Sequence, residues 1–198
     1  MQALLRAAAA PDFPAEIVLV LSNRPDAAGL DAARAAGVRA ACVDQRGYPR
    51  DRPAHEAAMV AAMEAESVDL VCLTGYMRLL TPFFVARWAG SMLNIHPSLL
   101  PAFPGLDSHA RALAAGVKLH GCTVHLVTDV MDAGPILAQA AVPVLPGDTE
   151  AVLAARVLAQ EHLLYPAALR RFAGGTTGRW PDPSCCLRNP LPEAGSIF

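Results

Sequence analysis

A chain of 198 residues that is 54% hydrophobic and 17% charged can bury one sizeable core and has the apolar content of a compact α/β domain. Its net charge of -2, from 16 basic and 18 acidic residues with no basic stripe, argues against a nucleic-acid partner. No apolar run reaches transmembrane length, residues 1–10 lack the build of a signal peptide, and five cysteines without a C-x-x-C spacing suit a reduced, cytoplasmic protein.

In chain order, residues 1–10 read as a helix by propensity, with nothing before it to act as a cap. Residues 16–21 form a continuous aliphatic run, as in a strand buried on both faces. A helix over 27–36, stopped by Gly37, leads to a second strand at 38–44. A polar loop at 45–52 precedes a helix reaching residue 66, then a strand at 68–74 and a loop at 75–80. Thr81-Pro82 starts another helix, with a cap and a proline at the first position, ending near Gly90. Residues 91–96 are a strand that runs into a proline-rich loop. Asp107 caps a helix that ends at Gly116. Strands at 119–128 and 136–142 lie too close for a crossover and are expected to be antiparallel. Pro146 to Thr149 opens a long helix to about residue 172, which Pro166 should kink or split. Residues 174–198 read as a loosely ordered tail, and the ordered domain as 1–173. Cys42, Cys72 and Cys122 fall in strands, as small buried hydrophobes would; Cys185-Cys186 lies in the tail.

Alternating strands and helices predict an α/β fold, a doubly wound, mostly parallel sheet with helices on both faces. Ligands then sit beyond the carboxyl ends of the strands. The loops after residues 21, 44, 74, 96 and 128 share that edge, so His96, Asp132 and Met77-Arg78-Leu79-Leu80 can converge. Asn94 and His96, two apart on a strand, point the same way, and Pro97 stiffens the corner after them. A carboxamide and an imidazole side by side suit polarising a carbonyl and moving protons. The pair alone is equally consistent with a buried histidine at a strand end. A carboxylate at Asp132 beside His96 would favour the protonated ring, the better donor to a developing oxyanion. His120 and His125 have an odd separation, which puts them on opposite faces of a strand and argues against their sharing a metal. No H-E-x-x-H or comparable cluster occurs, so no metal is expected. His120 is a further candidate if its strand bends toward the site. His55, His109 and His162 fall on helices, as surface or packing residues. Ser98 lacks a G-x-S-x-G elbow and is not expected to be a nucleophile.

Asn94-Ile-His96-Pro97-Ser98-Leu99-Leu100-Pro101 with Phe103-Pro104-Gly105-Leu106 resembles the signature of the folate-dependent formyltransferases. Ser22-Asn23-Arg24, Gly75-Tyr76-Met77-Arg78-Leu79-Leu80, His120-Gly121-Cys122-Thr123-Val124-His125, Thr128-Asp129 with Asp132-Ala-Gly134-Pro135, and Gln160-Glu161-His162 follow in that family's order. The resemblance implies the branch that formylates glycinamide ribonucleotide in purine biosynthesis. The resemblance implies a Rossmann-like fold and 10-formyltetrahydrofolate as co-substrate. It implies Asn94, His96 and Asp132 as the catalytic trio, and small-molecule substrates for a monomer or homodimer without a membrane partner. Arg52, Met77, Arg78, Leu79, Leu80, Asn94, Thr128, Asp129, Val130, Met131 and Asp132 match positions around the folate, and Gln160 and Glu161 the region holding the ribosyl substrate. The family opens with a strand and a Gly-rich phosphate loop that do not occur here. The expectation is that Met1 is an internal methionine, and that the chain as it stands binds phosphate weakly and has poor activity. The branches that hydrolyse formyltetrahydrofolate or formylate Met-tRNA share the trio. The first usually carries an extra N-terminal domain and the second a basic C-terminal one. A non-catalytic folate-binding protein is the alternative from another class.

Overall fold

The computed structural model describes residues 1–175 and a short strand at 187–188. The chain divides into two compact units, the first Met1–Met92 and the second beginning at Leu93. The first unit contains α1 (Gln2–Ala8), β1 (Leu19–Ser22), α2 (Ala28–Ala35), β2 (Arg39–Cys42), a 3-10 turn (Gln45–Gly47), α3 (Arg52–Glu64), β3 (Val71–Leu73) and α4 (Pro82–Arg87). Every element read from the sequence up to residue 90 is present, with shorter strands. β1 and β2 pair in parallel, Leu19 with Arg39 through Ser22 with Cys42, and α2 is the crossover that such a pair requires.

β2 has no second partner among the described residues. Cys42 is therefore exposed, which corrects its reading as a buried strand residue. On the other flank of β1, a cavity of about 580 Å³ opens between β1 and β3, lined by Leu19, Leu21, Leu70, Cys72, Met59 and Phe84 among others. α3 buries one stripe, Glu56, Met59, Val60 and Met63, at the i, i+3, i+4, i+7 spacing of an amphipathic helix. His55 on α3 is fully buried rather than on the surface, and its Nε2 pairs with the Val43 carbonyl at 2.9 Å.

The second unit holds most of β4 (Met92–His96), α5 (Ser108–Ala114), β5 (Leu119–Leu126), β6 (Ile136–Pro143), α6 (Glu150–Ala173) and β7 (Leu187–Arg188). β5 and β6 are antiparallel, as their short connection requires, with an irregularity at Val124/His125. β4 and β5 are also antiparallel, Leu93 opposite Leu126 and His96 opposite Thr123. The helix between them had suggested a crossover, but α5 has only seven residues and leaves the chain beside β4 instead of carrying it across the sheet. Asp107 sits at the head of α5 but makes no capping bond. Its φ of 55° is left-handed, whereas a side chain caps from an extended backbone.

α6 continues unsplit through Pro166. An interior proline costs about 3 kcal/mol, but Leu164, Tyr165, Ala168 and Leu169 around it are buried. Burial is worth roughly 1.5–3 kcal/mol for each large apolar side chain, so packing outweighs the lost bond. The Tyr165 hydroxyl also donates to the Leu93 carbonyl at 3.0 Å, tying α6 to β4. Of the tail expected at 174–198, residues 176–186 and 189–198 lie outside the described residues, while β7 runs parallel to β6.

Candidate active site

The β4–β5 register sets Asn94 opposite His125 and His96 opposite Thr123. Cross-strand partners share a face, so all four point to one side of the sheet. Thr123 Oγ1 donates to the Ser98 carbonyl at 2.7 Å and accepts from Leu100 N at 3.0 Å. This pins the proline-rich loop onto β5. The loop then passes through left-handed residues at Phe103 (φ 54°) and Gly105 (φ 78°). The Phe103 carbonyl comes within 3.0 Å of His96 Nε2. A non-glycine residue in that region is unfavourable, so the strain at Phe103 lies directly against the imidazole.

Asp132 arrives from the β5–β6 loop, itself left-handed at φ 55°. Its Oδ2 lies 3.3 Å from His96 Nδ1 and accepts from Gly105 N at 2.8 Å. Its Oδ1 lies 3.7 Å from His125 Nε2. Gly134 permits this loop, since a Cβ there would stand 1.9 Å from the Leu126 carbonyl oxygen. Because β4 and β5 are antiparallel, Asp132 does not reach His96 from a shared strand edge. The loop folds back along the sheet instead. Both ring nitrogens of His96 face acceptors, a carboxylate and a carbonyl. A ring protonated on both nitrogens satisfies both.

From the sequence, His125 is weighed only as a metal partner of His120 and is given no role in the site. Its Nδ1 lies 2.9 Å from the Leu126 carbonyl and its Nε2 3.3 Å from Asn94 Nδ2. Burial holds its pKa below the usual histidine value, outweighing the upward pull of the Leu126 carbonyl and of Asp132, while His96 lowers it slightly further. Alternation along Thr123-Val124-His125 would have found it, had the antiparallel β4–β5 pairing been foreseen.

His120 is 1% exposed. Its Nε2 lies 3.2 Å from His109 Nδ1, and its ring meets the edge of Phe103. It therefore stands behind the loop that contacts His96. Burial, then the neighbouring His109, lower its pKa to about 4. Gln160 and Glu161 are half-buried on α6, and burial raises the Glu161 carboxyl. Thr128, Asp129, Val130 and Met131 are exposed in the loop leading to Asp132.

Arg52 and Met77 to Leu80 belong to the first unit. Arg52 Nη1 donates to the Leu79 carbonyl at 3.2 Å. Met77 and Leu79 are 77% and 62% exposed, while Arg78 Nη1 is buried without a hydrogen-bond partner. The buried Glu56 carboxylate accepts from Thr81 N at 3.0 Å and from Thr81 Oγ1, which fixes the far end of that segment. Among the described residues, no three His, Cys, Asp or Glu side chains are grouped to hold a metal ion.

A family model described as formyl transferase matches residues 1–169. The chain belongs to the formyl transferase family. It is 42% identical over 175 residues to phosphoribosylglycinamide formyltransferase of Escherichia coli K12, covering 88% of this chain and 82% of that protein. It is 46% identical to the human trifunctional purine biosynthetic protein adenosine-3 over 89% of this chain, and spans only 17% of that protein's length. The crystal structure of phosphoribosylglycinamide formyltransferase from Brucella melitensis matches with a TM-score of 0.84 and 57% identity, covering 90% of this chain and 91% of that one. The α/β architecture expected from strand–helix alternation is that of these formyl transferase structures.

Proposed function

We propose that this formyl transferase moves the formyl group of 10-formyltetrahydrofolate to the amine of 5-phosphoribosylglycinamide, in purine (IMP) biosynthesis in the cytoplasm. The observation that carries the reading is the group of half-buried Asn94 with the buried side chains of His96 and Asp132, His96 being held between Asp132 Oδ2 and the Phe103 carbonyl. Two names among the relatives, from E. coli and B. melitensis, support the acceptor.

In this reading Asn94 Nδ2 and the protonated His96 donate to the formyl oxygen as the amine nitrogen attacks the formyl carbon. His96 Nε2 exchanges the Phe103 carbonyl for that oxygen. Donors placed where negative charge develops lower the barrier to tetrahedral addition. The attacking amine must lose a proton and the folate nitrogen must gain one. His96, oriented by Asp132 through Nδ1, passes that proton with the help of water. The carbon–nitrogen bond to the folate then breaks, and the formyl group remains as an amide. Arg52, Met77 to Leu80 and Thr128 to Asp132 are assigned to the folate, and Gln160 and Glu161 to the ribonucleotide.

The test supplies purified chain with 10-formyltetrahydrofolate and glycinamide ribonucleotide, following release of tetrahydrofolate and formation of the formylated product. Slow turnover that requires the ribonucleotide is expected. Formate release without an acceptor would redirect the reading to a hydrolase, transfer to Met-tRNA to the tRNA-directed branch, and folate binding without turnover to a non-catalytic protein.

A further inference from the structure

His125 is 2% exposed and lies between two fixed groups. One is the carbonyl of its own neighbour Leu126, 2.9 Å from Nδ1. A carbonyl only accepts, so this contact is a hydrogen bond when Nδ1 carries the proton. The other is the Asn94 carboxamide, whose Nδ2 lies 3.3 Å from Nε2. An amide NH2 only donates, so this contact is a hydrogen bond when Nε2 is bare. The two contacts together demand one tautomer, neutral and protonated on Nδ1. Burial, which lowers the pKa of this ring, acts in the same direction.

We propose that His125 is a positioning residue that fixes the orientation of the Asn94 carboxamide, so that an Nδ2 hydrogen rather than Oδ1 is presented to the reacting oxygen. The inference deepens the formyl-transfer reading and rests on it. The causal chain is short: Leu126 sets the tautomer of His125, the bare Nε2 holds Nδ2, and the second Nδ2 hydrogen stays free for substrate. An inverted amide would place Oδ1 against a bare nitrogen, two acceptors face to face. It would also offer an acceptor where an oxyanion forms. Protonation of Nε2 would reverse the preference. The charged ring would turn its new hydrogen toward Asp132 Oδ1, now 3.7 Å away, and release the amide. The charged or titratable side chains facing His125 are Asp132 and His96.

Two isosteres separate positioning from packing. Glutamine carries its side-chain oxygen at the same bond count from Cα as Nε2. Asparagine reaches only as far as Nδ1. His125→Gln can therefore accept from Asn94, while His125→Asn can bond Leu126 but cannot hold the amide. In the glycinamide formyl-transfer assay, His125→Gln is expected to keep kcat within about 5-fold. His125→Asn is expected to lose about 10- to 100-fold in kcat, by analogy with removal of the hydrogen-bond partner that orients a metal-bound side chain, with both KM values near those of the parent. Equal losses in the two variants, or a loss carried by KM, would overturn the assignment.

A second measurement needs no activity and no variant. Nitrogen NMR of the unmodified protein at pH 7 is expected to show His125 neutral with the proton on Nδ1; an Nε2–H tautomer or an imidazolium would overturn the proposal even if the variants fail to fold. If the unmodified protein shows that tautomer but transfers no formyl group, the formyl-transfer reading fails while the geometric assignment stands.

Discussion

Asp132 uses each oxygen for a different neighbour, His96 and Gly105 N on one and His125 on the other. Its replacement by asparagine keeps the shape and removes the charge. Asp132→Asn is expected to lower kcat by about 10²-fold or more, the range for proton-transfer groups, with the fold intact by circular dichroism. Retention of full kcat would remove Asp132 from the proposed trio. Gly134 matters for a different reason. A methyl group there would collide with the Leu126 carbonyl, and Leu126 is the residue that orients His125. Gly134→Ala is therefore expected to cost about 1–3 kcal/mol by overpacking, read by urea denaturation, and to reduce turnover as well. Asn94, His96 and Asp132 were legible in the sequence because a strand period and a motif are local. His125 was not, because its part depends on which strand lies beside β4.

Elements were found more easily than their neighbours. The start of α4 shows how far a local signal reaches. Thr81 Oγ1 accepts from Phe84 N, as Thr81-Pro82 promised, but it also donates to Glu56 on α3. Thr81→Ala removes a cap worth about 1 kcal/mol and leaves a buried carboxylate with one partner fewer. A loss of roughly 2 kcal/mol is expected by chemical denaturation, with Thr81→Ser restoring most of it. A loss no larger than an ordinary exposed cap would mean that Glu56 does not depend on Thr81. β1 offers another test. Its flank away from β2 borders the 580 Å³ cavity, so amides on that side are expected to exchange with solvent much faster than those of β5, which is paired on both sides. Slow exchange along both sides of β1 would show that its open flank is covered in solution.

Acid stability belongs to the whole molecule. His120 is buried beside His109, and its pKa falls from 6.5 to about 4. Above pH 6.5 neither folded nor unfolded chain binds this proton, and the group is neutral to stability. As pH drops from 6.5 toward 4, the unfolded chain takes up the proton and the folded one does not, so stability falls; below about 4 this contribution levels off. The difference in denaturation midpoint between the parent and His120→Gln is expected to change across that window, and a constant difference from pH 7 to 4 would contradict it. The order of elements, the proline-rich corner carrying Asn94 and His96, and the family resemblance were all determined by sequence alone, because propensity, periodicity and motifs act over a few residues. Strand direction at β4–β5, the return of Asp132 along the sheet, the exposure of Cys42 and the passage of α6 through Pro166 were decided only by tertiary structure. Each depends on contacts between distant residues, and packing energies there exceed the local preferences that sequence reveals.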